Sequence, residues 1–209
     1  FVTKSVDLST PFPELYASMP PKARYQTKRA EKDKLTVRYH QNPGVIVELF
    51  KLTASAKQLN GVSEGTLSGL NEYIISEIKD EELGVVAAHY YLLDKEKKKV
   101  QLRFNCSAFR KYRASSIRSL CGRNNKLLFL KDIRWFQNKG YRYFDFGGYG
   151  VKGDGPGGSA VSIFKDALPG NIIVQYNYYP IWYYLIRQIR SWFQSTRRKA
   201  VASKIGDNE

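Results

Sequence analysis

The sequence predicts a mixed α+β fold, with helices flanking a mostly antiparallel central sheet. Two observations carry this expectation. From Asn71 onward three strand-like runs follow one another, "EYIISEIK", "LGVVAAHYYLL" and "KVQLRFNCS", joined only by a short acidic turn and a charged turn. That is the signature of an antiparallel meander. After it come a helix, a strand, a short helix, a strand and a last helix, and before it the texture is mostly helical. Such an order lacks the strict alternation of a doubly wound parallel sheet.

The elements are justified in turn. Val2 to Leu8 alternates and reads as a strand, and Pro11 and Pro13 mark a turn or a helix start. Pro20-Pro21 opens the basic helix "PKARYQTKRAEKDK", since proline suits a first helical turn. Leu35 to Tyr39 is a short strand, broken by Asn42-Pro43-Gly44. Ile46, Leu49, Phe50 and Leu52 have helical spacing, and Gly61 to Gly65 is a loop. Beyond the meander, "RNNKLLFLKDIRWFQNKG" is a helix that Asn124 or Asn125 would cap and Gly140 would end. "YRYFDFGG" is a strand, "SAVSIFKDAL" a short helix capped by Ser159, and "NIIVQYNY" another strand. In "PIWYYLIRQIRSWFQSTRRK" the apolar residues recur at spacings of three and four, which predicts an amphipathic basic helix. Residues 1–179 are therefore expected to form the domain, and 180–209 a C-terminal helix and tail.

Composition narrows the partners. The 209 residues carry a net charge of +15 and are 14% aromatic, enough for a sizeable core. Such a basic surface suits nucleic acid, anionic lipid or phosphorylated small molecules. Two cysteines and two histidines make neither a disulfide framework nor a metal set. The first ten residues lack a basic-then-apolar leader, and no apolar stretch reaches the length of a membrane span. A reduced, cytoplasmic protein is expected. The last helix is suited to contact with an anionic inner leaflet through 180–199, or to packing on the domain.

The oddest stretch runs from Tyr143 to Gly170. An aromatic strand ends in Asp145, and seven of the thirteen residues from Phe146 to Gly158 are glycine. Glycine costs backbone entropy, so such a run implies a backbone that something approaches closely, or a loop that moves.

Several of these segments resemble a known family. The meander, the helix preceded by "SLCGRNN", the strand ending in "DFGG" at 145 to 148, the pair Phe164-Lys165 and the break at Pro169-Gly170 are similar to the Gcn5-related N-acetyltransferase fold. More narrowly they resemble its Fem-type subgroup, the aminoacyltransferases that build peptidoglycan bridges, and the run "ARYQTKRAEK" matches that subgroup's basic helix. The resemblance spans about Lys22 to Tyr179. It implies an N-acyltransferase that joins an acyl donor to an amine on an amino sugar or another phosphorylated or lipid-linked cell-envelope precursor. Fem-type enzymes carry two such domains and a helical arm suited to transfer RNA. No such arm is seen here, so an acyl thioester on CoA or a carrier protein is the donor expected, with aminoacyl-tRNA as the alternative. No tightly bound cofactor is expected. A non-catalytic nucleic-acid-binding module and a membrane-surface adaptor are the rivals from other classes.

The resemblance and the chemistry of amide formation together name the candidate residues. Lys165 is placed at the reacting centre, with Asp145 as base or loop anchor and Tyr149 as proton donor. Arg118, Gly122, Arg123, Asn124 and Asn125 would hold the donor's phosphates at a helix N-terminus. Arg24 and Lys28, one turn apart on the basic helix, would face the acceptor, with Gly147, Gly148 and Phe164 lining the site. The general base is left open among Glu48, His40, His89, Asp145 and Asp154.

Overall fold

The computed structural model describes residues 2–57, 59–69, 72–150 and 155–176. Residues 2–174 form one compact unit. The expected terminal helix at 180–199 and the boundary at 179 lie outside the described residues.

Seven strands make one sheet. In chain order they are β1 (Val2–Asp7), β2 (Leu35–His40), β3 (Tyr73–Asp80), β4 (Gly84–Asp94), β5 (Lys99–Ser107), β6 (Tyr143–Gly148) and β7 (Asn171–Val174). Across the sheet the order is β2-β3-β4-β5-β6-β1-β7. The meander pairs antiparallel as expected, β3 with β4 and β4 with β5. Among the described strands only β5 and β6 run parallel, and a parallel pair needs a long crossover. That crossover is the helix α5 defined below. Alternation along β4 assigns the two faces. Tyr91 packs toward Phe136 and Phe144, while Tyr90 meets Phe104, which in turn meets Phe50.

The helices follow their start signals, with three corrections. Helices α1 (Phe12–Ala17) and α2 (Pro21–Ala30) each carry proline in the first turn. Helix α3 spans Gly44–Lys57. Gly61 to Gly65 is not all loop, because Ser63 caps a short helix α4 (Glu64–Ser68) by accepting Thr66 N–H, and this helix buries Leu67. Helix α5 runs from Ser115 to Asn138, so it starts well before Asn124. Gly122 looked like a break, but Ile117, Leu120 and Cys121 extend the apolar stripe into the core, and packing overrides the glycine. Helix α6 (Gly155–Asp166) likewise starts before Ser159, with Pro156 in its first turn.

One departure from a regular sheet positions everything that follows. β5 and β6 pair only from Lys99↔Tyr143 to Gln101↔Asp145. Beyond that, β5 bulges. Tyr91 and Tyr90 on β4 face Leu102 and Phe104, leaving Arg103 as an extra residue. A bulge bends its strand and increases its twist, and here it sits where β5 leaves β6.

Candidate active site

The parting strands open a cleft of about 550 Å³. Leu102, Arg103 and Asn105 form its β5 side, and Phe146, Gly147 and Gly148 its β6 side. Gly122 and Asn125 of α5 and Phe164 and Lys165 of α6 complete the walls. Gly147 has a φ of +71°, and a β-carbon there would stand 3.2 Å from the Leu102 carbonyl oxygen. Only glycine lets the two backbones come this close at the throat of the cleft.

Lys165 explains how the divergence is sustained. A strand that loses its neighbour leaves carbonyls to be satisfied. The Lys165 ammonium donates to the carbonyls of Phe146 (2.6 Å), Gly147 (2.9 Å) and Gly148 (2.6 Å). One side chain thus stands in for the missing strand, and it is buried. Burial pulls the ammonium down to about 8, with Asp145 acting in the opposite sense. The sequence placed this lysine at the reacting centre; the structure gives it three backbone partners. A second buried lysine braces the first. Lys4 donates to the Lys165 and Leu168 carbonyls, at 2.9 and 2.8 Å, and so caps the end of α6.

Asp145 lies behind this wall, fully buried and outside the cleft lining. It accepts the Thr3 hydroxyl and Gly147 N–H, and Lys99 Nζ is 3.0 Å from its other oxygen. Burial raises its carboxyl, but Thr3, the Gly147 N–H and the Lys99 ammonium together hold it below the usual carboxylate range. The carboxylate fixes the turn in which Gly147 sits. Tyr149 donates to Asp166 at 2.6 Å on an exposed surface, away from the cleft.

The expected phosphate residues scatter. Residues 121 to 125 lie inside α5, so their backbone N–H groups face helix carbonyls and not an incoming anion. Gly122 and Asn125 do line the cleft. Asn124 is fully buried, and neither amide atom has a partner among the described residues. Arg123 makes two bonds to Asp33, at 2.9 and 3.0 Å, tying α5 to the chain between α2 and β2. Both side chains are mostly buried, so Arg123→Ala is expected to lower stability by about 2 kcal/mol. Donor affinity in the folded variant should be unchanged, which thermal melts and a binding titration will check. On α2, Arg24 is half-buried with an unpartnered Nε and Lys28 is exposed; neither lines the cleft. The contact from α2 to the cleft wall is one the sequence did not single out. Lys126 donates to Gln26 at 3.0 Å and lies 5.5 Å above the Phe164 ring.

A second concavity, about 800 Å³, adjoins the cleft and shares Phe109 and Arg110 with it. Lys51, Arg113 and Arg118 surround it, and among the described residues no acidic one does. Arg110 and Arg118 lie 4.6 and 5.7 Å from the Phe109 ring centre. The sequence placed its anion site at a helix start near Asn124. The helix starts at Ser115, and the arginines gather here. Among the sequence candidates, Arg118 alone falls in it.

No family model matches the chain, and no curated protein does. Solved structures do. FemX superposes with a TM-score of 0.65 at 11% identity, over 82% of this chain and 59% of that one. L-PGS from Bacillus licheniformis gives a TM-score of 0.52 at 16% identity, over 85% and 60%. The C-terminal domain of an Agrobacterium fabrum protein named as a lysylphosphatidylglycerol synthetase gives 0.52 at 15% identity, over 82% and 58%. The chain thus spans about three-fifths of these structures and shares with them its mixed α+β fold, as the resemblance read from the sequence implied.

Proposed function

We propose that the protein is an aminoacyltransferase that draws its acyl group from an aminoacyl-tRNA and joins it to an amine on a cell-envelope precursor. The observation that carries this reading is the continuity of the cleft with the cationic aromatic concavity through Phe109 and Arg110. In an aminoacyl-tRNA the acyl ester sits directly on the terminal adenosine, with phosphates close behind. In an acyl-CoA a long pantetheine arm separates the two. A stacking ring flanked by arginines and immediately beside the cleft suits the first arrangement better. The likeness to FemX and to proteins named for lysylphosphatidylglycerol synthesis supports the same donor, and either a peptidoglycan or a lipid acceptor.

The chemistry follows from the charges. The acceptor amine attacks the ester carbonyl, the bond to the ribose oxygen breaks, and the proton lost by the amine ends on that oxygen. Among the described residues no carboxylate or imidazole lines the cleft, whereas Arg103, Arg110 and Lys165 do. Clustered positive charge disfavours an ammonium, so it keeps the acceptor amine neutral and nucleophilic. The same charge stabilises the oxyanion. With its protons committed to three carbonyls, Lys165 contributes through its field and through the shape of the wall.

The test is transfer of a labelled amino acid from charged tRNA to a nucleotide-linked or lipid-linked precursor. Arg110→Glu with Arg118→Glu should weaken tRNA binding at least about tenfold and flatten its salt dependence by roughly two counterions. Transfer from acyl-CoA with no use of charged tRNA would replace the donor and restore the thioester reading.

A further inference from the structure

We propose that a buried His89–Asp132 pair, which does not itself line the cleft, sets the hydrogen-bonding polarity of Asn105 inside it through the Asn125 amide. His89 is a positioning residue in this scheme, and the inference holds for the cleft whichever donor occupies it.

The arrangement arises from two periodicities. Ser76, His89 and Asn105 are cross-strand partners on β3, β4 and β5, and so form one row on one face of the sheet. Tyr91, two residues on from His89, shares that face. Above the row, α5 presents Asn125, Phe129 and Asp132 at helical spacing. Phe129 stacks on the His89 ring at 3.8 Å. Asp132 Oδ2 accepts from Ser76 (2.9 Å) and Tyr91 (2.6 Å) and lies 2.8 Å from His89 Nδ1. His89 Nε2 is 2.7 Å from Asn125 Oδ1, and Asn125 Nδ2 donates to Asn105 Oδ1 at 3.1 Å. His89 and Asp132 are wholly buried, Asn125 is nearly so and lines the cleft, and Asn105 is exposed within it.

The chain of bonds has a direction. With the Asn125 amide oriented as it is, Asn125 Oδ1 accepts from His89 Nε2 and Asp132 Oδ2 from Nδ1, while the Tyr91 hydroxyl lies 3.0 Å from Nδ1. Asn105 then accepts from Asn125 and keeps its amide N–H groups for the cleft. When His89 gives up its Nε2 proton to water in the cleft, the bare nitrogen needs a donor. The Asn125 amide turns over to supply one, its carbonyl then faces Asn105, and Asn105 must turn as well. Its carbonyl now points into the cleft. A charged His89 therefore suits a carbonyl or phosphate oxygen on the ligand, and a neutral one suits an amine or hydroxyl. The groups that titrate around His89 are Asp132 on α5, Tyr91 on its own strand, and Tyr39 of β2 beyond Asp132. Burial pushes both tyrosine hydroxyls up, and Asp132 adds to the effect, so they remain protonated donors.

The experiment needs no ligand. The chain has two histidines, so a His40→Gln variant identifies the His89 ring signals by NMR. With nitrogen-15 labelling, the ring and the Asn side-chain amides are followed between about pH 5 and 9. The expected result is that the Asn125 and Asn105 amide signals move with the same midpoint as His89. In Asn125→Leu the Asn105 shift should be lost while His89 still titrates. A titrating His89 with a static Asn105 amide overturns the proposal, as does a His89 that keeps one protonation state throughout. Since the first measurement uses the wild-type chain, the proposal remains testable if Asn125→Leu fails to fold.

Discussion

Lys165→Met is expected to lower the transfer rate by on the order of 10² to 10³ while leaving the melting temperature close to that of the wild type. The loss of rate follows from removing a positive charge beside the reacting carbonyl, and from releasing the three β6 carbonyls that it gathers. The small effect on stability follows from two opposed changes. Burying an ammonium is costly, which is why burial pulls this one down to about 8, and methionine removes that cost while filling the stem's volume. Against that, three hydrogen bonds are lost, although their acceptors then face the cleft. The pH dependence separates the effects. Above about pH 8 the amine is neutral and cannot donate to all three carbonyls, so wild-type transfer should fall there. Stability moves the other way. The folded value lies below the ordinary 10.5, so between about 8 and 10.5 the unfolded chain binds more protons, and this group's contribution to stability rises with pH. A loss of activity in that window is therefore not unfolding. Steady-state rates and melts across the same buffers check both. Normal turnover in a folded Lys165→Met protein would remove the lysine from the reaction.

Gly170→Ala is expected to cost about 3 kcal/mol or more, and to lower the melting temperature by roughly 6 to 12 °C. Gly170 has a φ of +104°, and an added β-carbon would lie 2.5 Å from the Ser5 carbonyl oxygen and 2.9 Å from Val6 Cγ2. The first of these is backbone of β1, which cannot yield without lifting β7 off its neighbour. Gly122→Ala is the contrast, because nothing lies within 4 Å of its added carbon and the site is inside a helix. That change should raise stability by about 0.5 to 1 kcal/mol. Equal melting temperatures for wild type and Gly170→Ala would show that this backbone contact relaxes freely.

The sheet's meander, α2 and β6 were legible because each is a local pattern: alternation, a proline start, an aromatic run. The start of α5 was not. Gly122 and the Asn124-Asn125 pair look like punctuation in one dimension, and only the packing of Ile117, Leu120 and Cys121 shows the helix passing through them. That error placed the anticipated phosphate site on Arg118 and residues 122 to 125, of which the last four lie inside the helix and not at its start. Phe164 and Lys165 were identifiable by resemblance, yet nothing local reveals that the lysine's partners are the carbonyls of residues 146 to 148. The cleft lies where β5 and β6 part, and the bulge at Arg103 that opens it is visible only from strand register. His89 was one of several possible bases. Its pairing with Asp132 joins β4 to α5, a contact that no spacing within either segment encodes.

The placement of β1 also governs the order of assembly. Its partners are β6 and β7, with Thr3 opposite Gly148 and Ile173. The β3-β4-β5 meander closes through short turns and can form early, whereas β1 has no partner until the chain has passed residue 143. Closing so large a loop is slow, and an unpaired strand edge is prone to association in the interval. The throat of the cleft depends on that last step, since Thr3 holds Asp145 and Lys4 caps α6. Catalytic competence should therefore arrive with the slowest folding phase, after the bulk of the sheet is already protected from hydrogen exchange.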